Sequence, residues 1–96
     1  MKHRLAVRSI AERDLQAARD WYESKQIGLG DVFLDEVAEA MGRLAHRPDL
    51  ARPYYRQFHR ILLRRFPYKL FYQVIDDQVI VFRVLHAKQS HESRLT

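Results

Sequence analysis

The apolar positions change from a helical to an extended period near residue 58. Up to residue 46 they recur every three or four positions, in two stripes separated by the GLG at residues 28–30. This spacing places each stripe on one helix face, so the pattern predicts an amphipathic helical hairpin. The stripes are Ala11, Leu15, Ala18 and Tyr22, flanked by Trp21, and then Phe33, Val37, Ala40, Met41 and Leu44, with Asp35, Glu36, Glu39 and Arg43 largely on the opposite, solvent side.

Local signals predict where these helices begin and end. Ser9 and Glu12 have the spacing of a capping box at the start of the first helix. The glycines at 28–30 tolerate the left-handed conformation that ends helices, and Asp31 can cap the second helix. Pro48 and Pro53 then frame a loop that cannot continue that helix.

Three later runs and one early run are predicted strands, because they are rich in β-forming residues or alternate in polarity. Asp76 and Asp77 predict a tight hairpin between the last two runs, and Pro67 predicts a corner before them. The last run has apolar side chains on both faces, which indicates a central strand covered by helices on at least one side. The runs cover residues 3–8, 58–66, 68–75 and 78–86.

A helix over residues 54–66 is an alternative, because Arg52, Arg56, Arg60 and Arg64 recur every four positions. Four is also an even number, so the same spacing places them on one face of a strand. Pro67 and the three-strand pattern favour the strand. The predicted order is β-α-α-β-β-β, an α+β fold in which a helical hairpin packs on a small antiparallel sheet. With 96 residues, the chain has room for one domain, spanning 1–96.

The charge of the chain is concentrated in its second half. The net charge is +5, but residues 1–48 hold eight basic and eight acidic residues, so all of the excess lies in residues 49–96. No acidic residue occurs between Asp49 and Asp76. Such a block attracts a polyanion or an acidic protein segment, or it is simply a solvated sheet face.

Composition narrows the chemistry further. The chain has no cysteine, which excludes disulfides, thiol catalysis and thiolate metal sites and fits a cytoplasmic location. Its five histidines lack the spacing of a metal site, so no metal or cofactor is predicted. No stretch of 18 apolar residues indicates a membrane span, and the first residues lack the apolar core of a secretory signal.

The stretch RRFPYKLFYQVIDDQVIVFRVLH, preceded by WYE and GLG, resembles the RelE/ParE superfamily of bacterial type II toxins, which includes plasmid-stabilisation proteins. The resemblance covers nearly the whole chain. It implies two activities on one scaffold: RelE-like members cleave mRNA on the ribosome without a metal, and ParE-like members poison DNA gyrase. It also implies a cognate antitoxin, whose disordered segment folds onto the toxin.

The resemblance implies where a RelE-like nuclease centre would lie. The basic pair of the first C-terminal strand falls at Arg60 and Leu62, and the next-strand arginine falls at Lys69. The arginine after the last strand falls at Gln89, and the tail tyrosine falls at Leu95. Three of these positions, Leu62, Gln89 and Leu95, therefore lack the expected chemistry, and a degraded nuclease centre is expected.

The histidines of the tail could repair such a centre. His91 could supply the missing acid or base, so the candidate catalytic residues, if the protein is a nuclease, are Lys69, His91, Arg60 and Arg65. Strict alternation places His86 on the face of Ile80, Phe82 and Val84, as a partly buried, hydrogen-bonded histidine. His59 shares a face with Ile61 and Leu63, and its expected role is in packing or at the surface.

The basic side chains form the expected binding surface. The residues predicted to bind the target or the antitoxin are Arg56, Arg60, Arg64, Arg65 and Lys88. The leading hypothesis is a toxin that forms a complex with its antitoxin and inhibits gyrase in the ParE manner. The alternatives are a ribosome-dependent mRNA endonuclease and a non-toxic basic domain that binds RNA or protein.

Overall fold

The computed structural model describes residues 3–50, 52–89 and 91–95. Helices and strands follow closely on one another, with a 3-10 turn at Pro48–Leu50. The elements are β1 (Arg4–Val7), α1 (Ser9–Lys25), α2 (Leu29–His46), β2 (Pro53–Tyr55), β3 (Phe58–Leu62), β4 (Tyr68–Ile75), β5 (Gln78–His86) and α3 (Glu92–Leu95).

The five strands form one sheet in the order β1-β5-β4-β3-β2. Its strands pair antiparallel, except that β1 runs parallel to β5. The predicted α+β class and the order β-α-α-β-β-β are confirmed, with β2 and α3 as additional elements. The helical alternative for residues 54–66 is wrong, because β2 and β3 occupy that segment.

The two helices cover one face of the sheet, which we call the helix face. Both predicted apolar stripes are buried there, except that Leu15 is only partly buried, and Trp21 is largely exposed. Leu70, Val79, Val81 and Val84 supply much of the sheet's side of this core. The periodicity of the sequence therefore identified the packing face of each helix.

The helix ends are not capped as predicted. Arg8 is the N-cap of α1, and Ser9 already lies inside the helix without a side-chain capping bond. Asp31 lies in the first turn of α2, whose N-cap is Gly28 in the left-handed conformation, with φ of 89°. Both predicted capping residues are thus one or more positions inside their helices.

A carboxylate from α1 performs the capping of α2 instead. Glu23 accepts hydrogen bonds from the backbone N–H of Gly28 at 2.9 Å and of Gly30 at 3.0 Å. These two bonds, from Gly28 first, hold the pKa of Glu23 below its ordinary value. The first turn of α2 is therefore satisfied by a neighbouring helix, which local sequence signals cannot reveal.

A β-bulge in β5 exchanges the two faces of the central strand. Phe71 pairs with Arg83, but the next residue of β4, Tyr72, pairs with Val81, which leaves Phe82 as the extra residue. Val79, Val81 and Val84 consequently all pack in the helix-face core, whereas Phe82 packs on the opposite side. The predicted alternation is wrong beyond Phe82.

The first helix is attached at this bulge. Asp14 accepts two hydrogen bonds from the Arg83 guanidinium, at 2.7 and 2.9 Å, and a third from the Val84 N–H at 3.0 Å. Both side chains are at least 85% buried, since only 13% and 15% of them is exposed. β1 ends at Val7, so Asp14 occupies the edge of β5 that β1 leaves free.

A second buried carboxylate holds the loop between β3 and β4. Glu36, predicted to face solvent, is only 8% exposed and accepts bonds from the Arg65 Nε at 2.9 Å and the Arg65 N–H at 3.1 Å. Burial raises the pKa of Glu36, but the hydrogen bonds from Arg65 and from the Arg64 amide outweigh it, so the pKa is lowered overall. Glu36 is therefore ionised at neutral pH and ties the loop to α2.

Replacing Gly30 by alanine is expected to destabilise the hairpin. A Cβ at this position would lie 2.8 Å from the Arg19 carbonyl oxygen and 2.9 Å from the Glu23 Oε1, so the helices must separate. We expect a loss of about 1 to 3 kcal/mol in the free energy of unfolding, measured by urea denaturation. Gly42→Ala in the same helix is the control: nothing lies within 4 Å of its Cβ, so it should gain about 0.5 to 1 kcal/mol. Equal shifts for both variants would contradict the close packing.

Replacing Glu36 by glutamine is expected to destabilise the fold in a pH-dependent way. At pH 7 the loss should be about 1 to 2 kcal/mol, because the loop amides and Arg65 lose an ionised acceptor. The folded pKa lies below the ordinary 4.5, so this contribution is complete above that pH and disappears as the pH falls through the folded pKa. Urea unfolding from pH 7 to pH 3 should show the two proteins converging. Glu39→Gln is the control. It changes an exposed side chain that loses only its pair with Arg43, so the free energy of unfolding should change by less than about 0.5 kcal/mol.

Candidate functional site

The sheet face opposite the helices, which we call the outer face, carries its own apolar cluster. Phe58, Phe71, Leu85 and Leu95 are buried in it, with Tyr54, Tyr55 and Phe82 partly buried around them. Leu95 belongs to α3, so the chain's last described segment folds back onto this face. The tail therefore covers one part of the outer face, and the other part carries basic side chains.

His91 helps to hold the tail on this face. Its ring lies 4.9 Å from the ring of Phe71, and its Nε2 lies 3.0 Å from the His86 carbonyl oxygen. A carbonyl oxygen only accepts hydrogen bonds, so the His91 Nε2 carries the hydrogen in this contact. The side chain is 9% exposed, and one of its two ring nitrogens is occupied in fixing the tail.

Arg60 and Lys69 lie on the outer face near His91. Arg60 in β3 pairs with Phe71, and its guanidinium carbon lies 3.8 Å from the centroid of the Tyr54 ring. Lys69 lies two residues before Phe71 in β4, about 7 Å along the same face. Of the four predicted catalytic residues, Arg60 and His91 thus lie beside Phe71, and Lys69 lies farther along the same face, where it also lines a groove with Arg64 and Arg65.

Arg65, the fourth, is directed elsewhere. It lies in the loop after β3, and its Nε bonds to Glu36 of α2 on the helix side of the sheet. Its neighbour Arg64 is exposed. The predicted catalytic set therefore does not converge as a whole.

The positions implied for the nuclease arginine and tyrosine have structural roles. The Gln89 Oε1 accepts the His86 N–H at 2.7 Å and so ends β5. Leu95 is 8% exposed in the outer-face cluster. His86 lies on the helix face beyond the bulge, with its ring edge-on to Tyr68 at 5.2 Å and its Nδ1 accepting the Lys88 N–H at 3.0 Å. It is partly buried and hydrogen-bonded as expected, but on the opposite face.

The arginines spaced by four do not form a single stripe. Arg52 precedes β2, Arg56 lies in the turn after it with φ of 56°, and Arg60 and Arg64 lie in β3 and in the next loop. The turn at residues 56–57 and the connection at residues 63–67 break the alternation that one long strand would have kept. Arg56 instead sits 5.1 Å from the centroid of the Tyr55 ring, so aromatic rings accompany these cations on one side of the sheet.

His59 has the packing role that its parity predicted. Its ring stacks on Tyr72 at 5.1 Å with an interplanar angle of 17°. Lys88, predicted to bind a partner, is exposed just after β5. It is one of the basic side chains available at this end of the sheet.

An apolar groove of about 540 Å³ lies between α1 and the ends of β4 and β5. Trp21 forms one wall and is 55% exposed, and Tyr68 lies across from it. Burial, and then the charge of Asp14, raises the pKa of Tyr68, so its hydroxyl stays protonated at neutral pH. A groove of this kind, beside a basic sheet, fits an apolar segment of a partner.

Other kinds of site receive no support from the described ranges. Within residues 3–50, 52–89 and 91–95, no group of three or more His, Asp or Glu side chains is arranged to hold a metal ion. None of the helices in that part of the chain is long and apolar enough to cross a membrane.

Sequence reasoning missed three residues that organise the site. In the sequence, nothing distinguishes Asp14 and Arg83 from ordinary surface charges. The bulge of β5 brings them together in the structure. Glu36 could have been found, because it follows Phe33 by three positions and precedes Ala40 by four, which places it on the apolar stripe. A charged residue on such a stripe indicates a buried partner.

Solved structures with the same fold come from toxin–antitoxin systems. A chain of the chromosomal ParDE system from P. aeruginosa is 16% identical, with a TM-score of 0.73 over 88% of this chain and 96% of its own. A chain of the RelBE2 complex from Mycobacterium tuberculosis is 24% identical, with a TM-score of 0.62 over 90% and 99%. A mutant of the E. coli toxin RelE in the free state is 22% identical, with a TM-score of 0.66 over 92% and 86%. These identities show a shared fold.

Among curated proteins, none matches the chain. The model of one family does match, over residues 5–91, and it describes the ParE toxin of the type II toxin–antitoxin system parDE. This match spans β1 to the residue before α3 and includes both the helical hairpin and the strands that carry Arg60 and Lys69. The chain belongs to the ParE toxin family, within the RelE/ParE superfamily, and is a toxin of the type II toxin–antitoxin class.

Proposed function

We propose that this toxin inhibits DNA gyrase in the ParE manner and is neutralised by a cognate antitoxin in the cytoplasm. The supporting observation is the use made of the tail. Gln89 ends β5 and Leu95 fills the outer-face cluster, so the positions of a RelE-like arginine and tyrosine serve the fold. His91 also serves the fold, because its Nε2 bonds to the His86 carbonyl oxygen. Metal-free RNA cleavage needs a proton acceptor, a proton donor and a cation beside the phosphate, and these tail positions are used for the fold instead.

A ribosome-dependent mRNA endonuclease is the second candidate. It is favoured by the position of Arg60, Lys69 and His91 on one face. Lys69 supplies a charge but cannot make the two-pronged contact that arginine makes with phosphate. In this candidate Arg65 serves binding, because Glu36 directs it away from the group.

The antitoxin is expected to cover both polar and apolar features. The groove beside Trp21 accommodates an apolar segment, and the exposed arginines of the sheet attract acidic side chains. A short reading frame next to the toxin gene, encoding a small DNA-binding protein with an acidic, amphipathic tail, is the expected source. The complex is then a heteromer of toxin and antitoxin.

The two targets are distinguished by activity. In a reaction that contains gyrase, relaxed plasmid and ATP, the purified toxin should block supercoiling at concentrations comparable to that of gyrase. Added antitoxin should restore supercoiling. Primer extension on cellular mRNA after induced expression should show intact transcripts. Gly42→Ala, which lies away from every residue assigned to binding, should inhibit like the wild type. Codon-positioned cuts that disappear in Lys69→Ala, with supercoiling unaffected, would establish the nuclease instead.

Arg56 and Arg64, which are exposed, and the half-buried Arg60 should contribute to antitoxin binding mainly through long-range attraction. Replacing Arg56, Arg60 and Arg64 together by alanine should weaken binding by about tenfold at low salt and flatten its salt dependence. Isothermal titration at several salt concentrations measures both effects. Arg13→Ala, an exposed change on α1, is the control and should alter neither by more than about twofold. An unchanged salt dependence in the triple variant would place the antitoxin elsewhere.

A further inference from the structure

Arg65 is unusual among the basic side chains because a buried carboxylate fixes it while most of it stays exposed. The Glu36 side chain is 9% exposed, whereas the Arg65 side chain is 67% exposed. The backbone N–H and the Nε of Arg65 bind the two oxygens of Glu36, at 3.1 and 2.9 Å. Within the described residues, no other hydrogen bond reaches its guanidinium, so the two terminal amino groups project into solvent.

This geometry prepares the guanidinium for an anion. Arginine recognises a carboxylate or a phosphate through parallel N–H groups in a fixed plane. Holding the side chain through Nε orients that plane and removes in advance most of the rotamer entropy that binding would otherwise cost. The adjacent Arg64 is exposed and has no such anchor in the described chain. The two neighbours therefore offer the same charge with different degrees of preorganisation.

The surroundings of Arg65 fit an acidic protein segment. A groove of about 310 Å³ runs beside the loop, and Arg64, Arg65 and Lys69 line it without any acidic residue among its lining side chains. Leu62, 62% exposed, and Ala87 give it an apolar floor. The groove therefore combines cations with an apolar strip.

The aromatic residues of this groove disfavour a nucleic acid. Phe66 is buried against Tyr22 and Phe33, and the ring of Tyr68 packs on Phe33 at 5.3 Å. Single-stranded nucleic acid is held by stacking its bases on exposed rings, and these rings are occupied in the core. A carboxylate flanked by an apolar side chain is the better match.

We propose that Glu36 is a positioning residue that presents Arg65 to a carboxylate of the antitoxin, with an apolar antitoxin side chain next to it over Leu62. This inference rests on the proposed neutralisation by an antitoxin. It distinguishes one anchored arginine from exposed ones without such an anchor among the described residues, and it assigns Glu36 a role in binding although Glu36 itself is buried.

Binding of the full-length toxin to the antitoxin encoded beside its gene tests the proposal. Arg65→Lys should raise the Kd at least about tenfold, because lysine cannot present two parallel donors, whereas Arg64→Lys should change it less than about threefold. Glu36→Gln should weaken binding by about five- to tenfold. The double variant E36Q/R65A should bind like Arg65→Ala alone, because Glu36 acts through Arg65. A merely structural role for Glu36 would weaken the double variant further.

Motion of the guanidinium gives a second readout that does not depend on the antitoxin. In the free toxin the 15N–1H relaxation of the Arg65 Nε should report a rigid group, that of Arg64 a mobile one, and Glu36→Gln should make Arg65 equally mobile. Equal mobility of the two arginines in the wild type would overturn the proposal. This measurement, with the Arg65 variants, decides the question even if Glu36→Gln folds poorly.

The possible failures are distinguishable. If the wild-type toxin does not bind the antitoxin at all, the proposed neutralisation fails, and this inference fails with it. If it binds, but Arg65→Lys and Arg64→Lys have equal effects, only the role of Arg65 and Glu36 is overturned.

A 12-nucleotide single-stranded RNA serves as the competing probe. Loss of RNA binding in Arg65→Lys, with antitoxin binding intact, would assign the groove to phosphate and refute the carboxylate.

Discussion

The contact between Asp14 and the bulge of β5 is the constraint on which the arrangement of both sheet faces depends. Asp14 receives two hydrogen bonds from Arg83 and one from the Val84 amide, and so satisfies polar groups that the end of β1 leaves at the strand edge. Because Phe82 is the extra residue, Val84 and His86 face the helices while Leu85 faces the tail. A buried ion pair is weak evidence for stability in itself, but leaving either charge without its partner is costly, so this pair fixes how α1 meets the sheet.

On the outer face, residues of the tail serve the fold. Leu95 and His91 fasten α3 over Phe71, and Gln89 completes the end of β5. What remains at the surface is cationic, with arginines lying over the rings of Tyr54, Tyr55 and Phe82. Clustered positive charge of this kind attracts acidic groups over distances longer than a contact.

The elements of the fold could largely be predicted, because each rests on a local period. The helical stripes ending at Tyr22 and at Leu44 are largely buried as expected, and β4 and β5 meet at the predicted turn around Asp76. β4 begins directly after Pro67, but β3 ends at Leu62 rather than at residue 66. The resemblance to the RelE/ParE superfamily followed from the same strand segments and is confirmed by the family match. The site was only partly predictable. Strand parity and the fold-back of the tail bring Arg60, Lys69 and His91 to one face, whereas Arg65 is anchored to Glu36 of α2.

By itself, the sequence determined where the two long helices and the four predicted strands lie, and that the second half carries the excess charge. These properties depend on neighbours within a few positions, so periodicity and turn chemistry reveal them. The tertiary structure decided which face each residue of β5 presents after Phe82, that Glu23 rather than a local residue caps α2, and that Glu36 is buried beneath Arg65. Each of these is a hydrogen-bonding requirement met by a group from another element. A pattern along one segment cannot show which distant carboxylate will meet it.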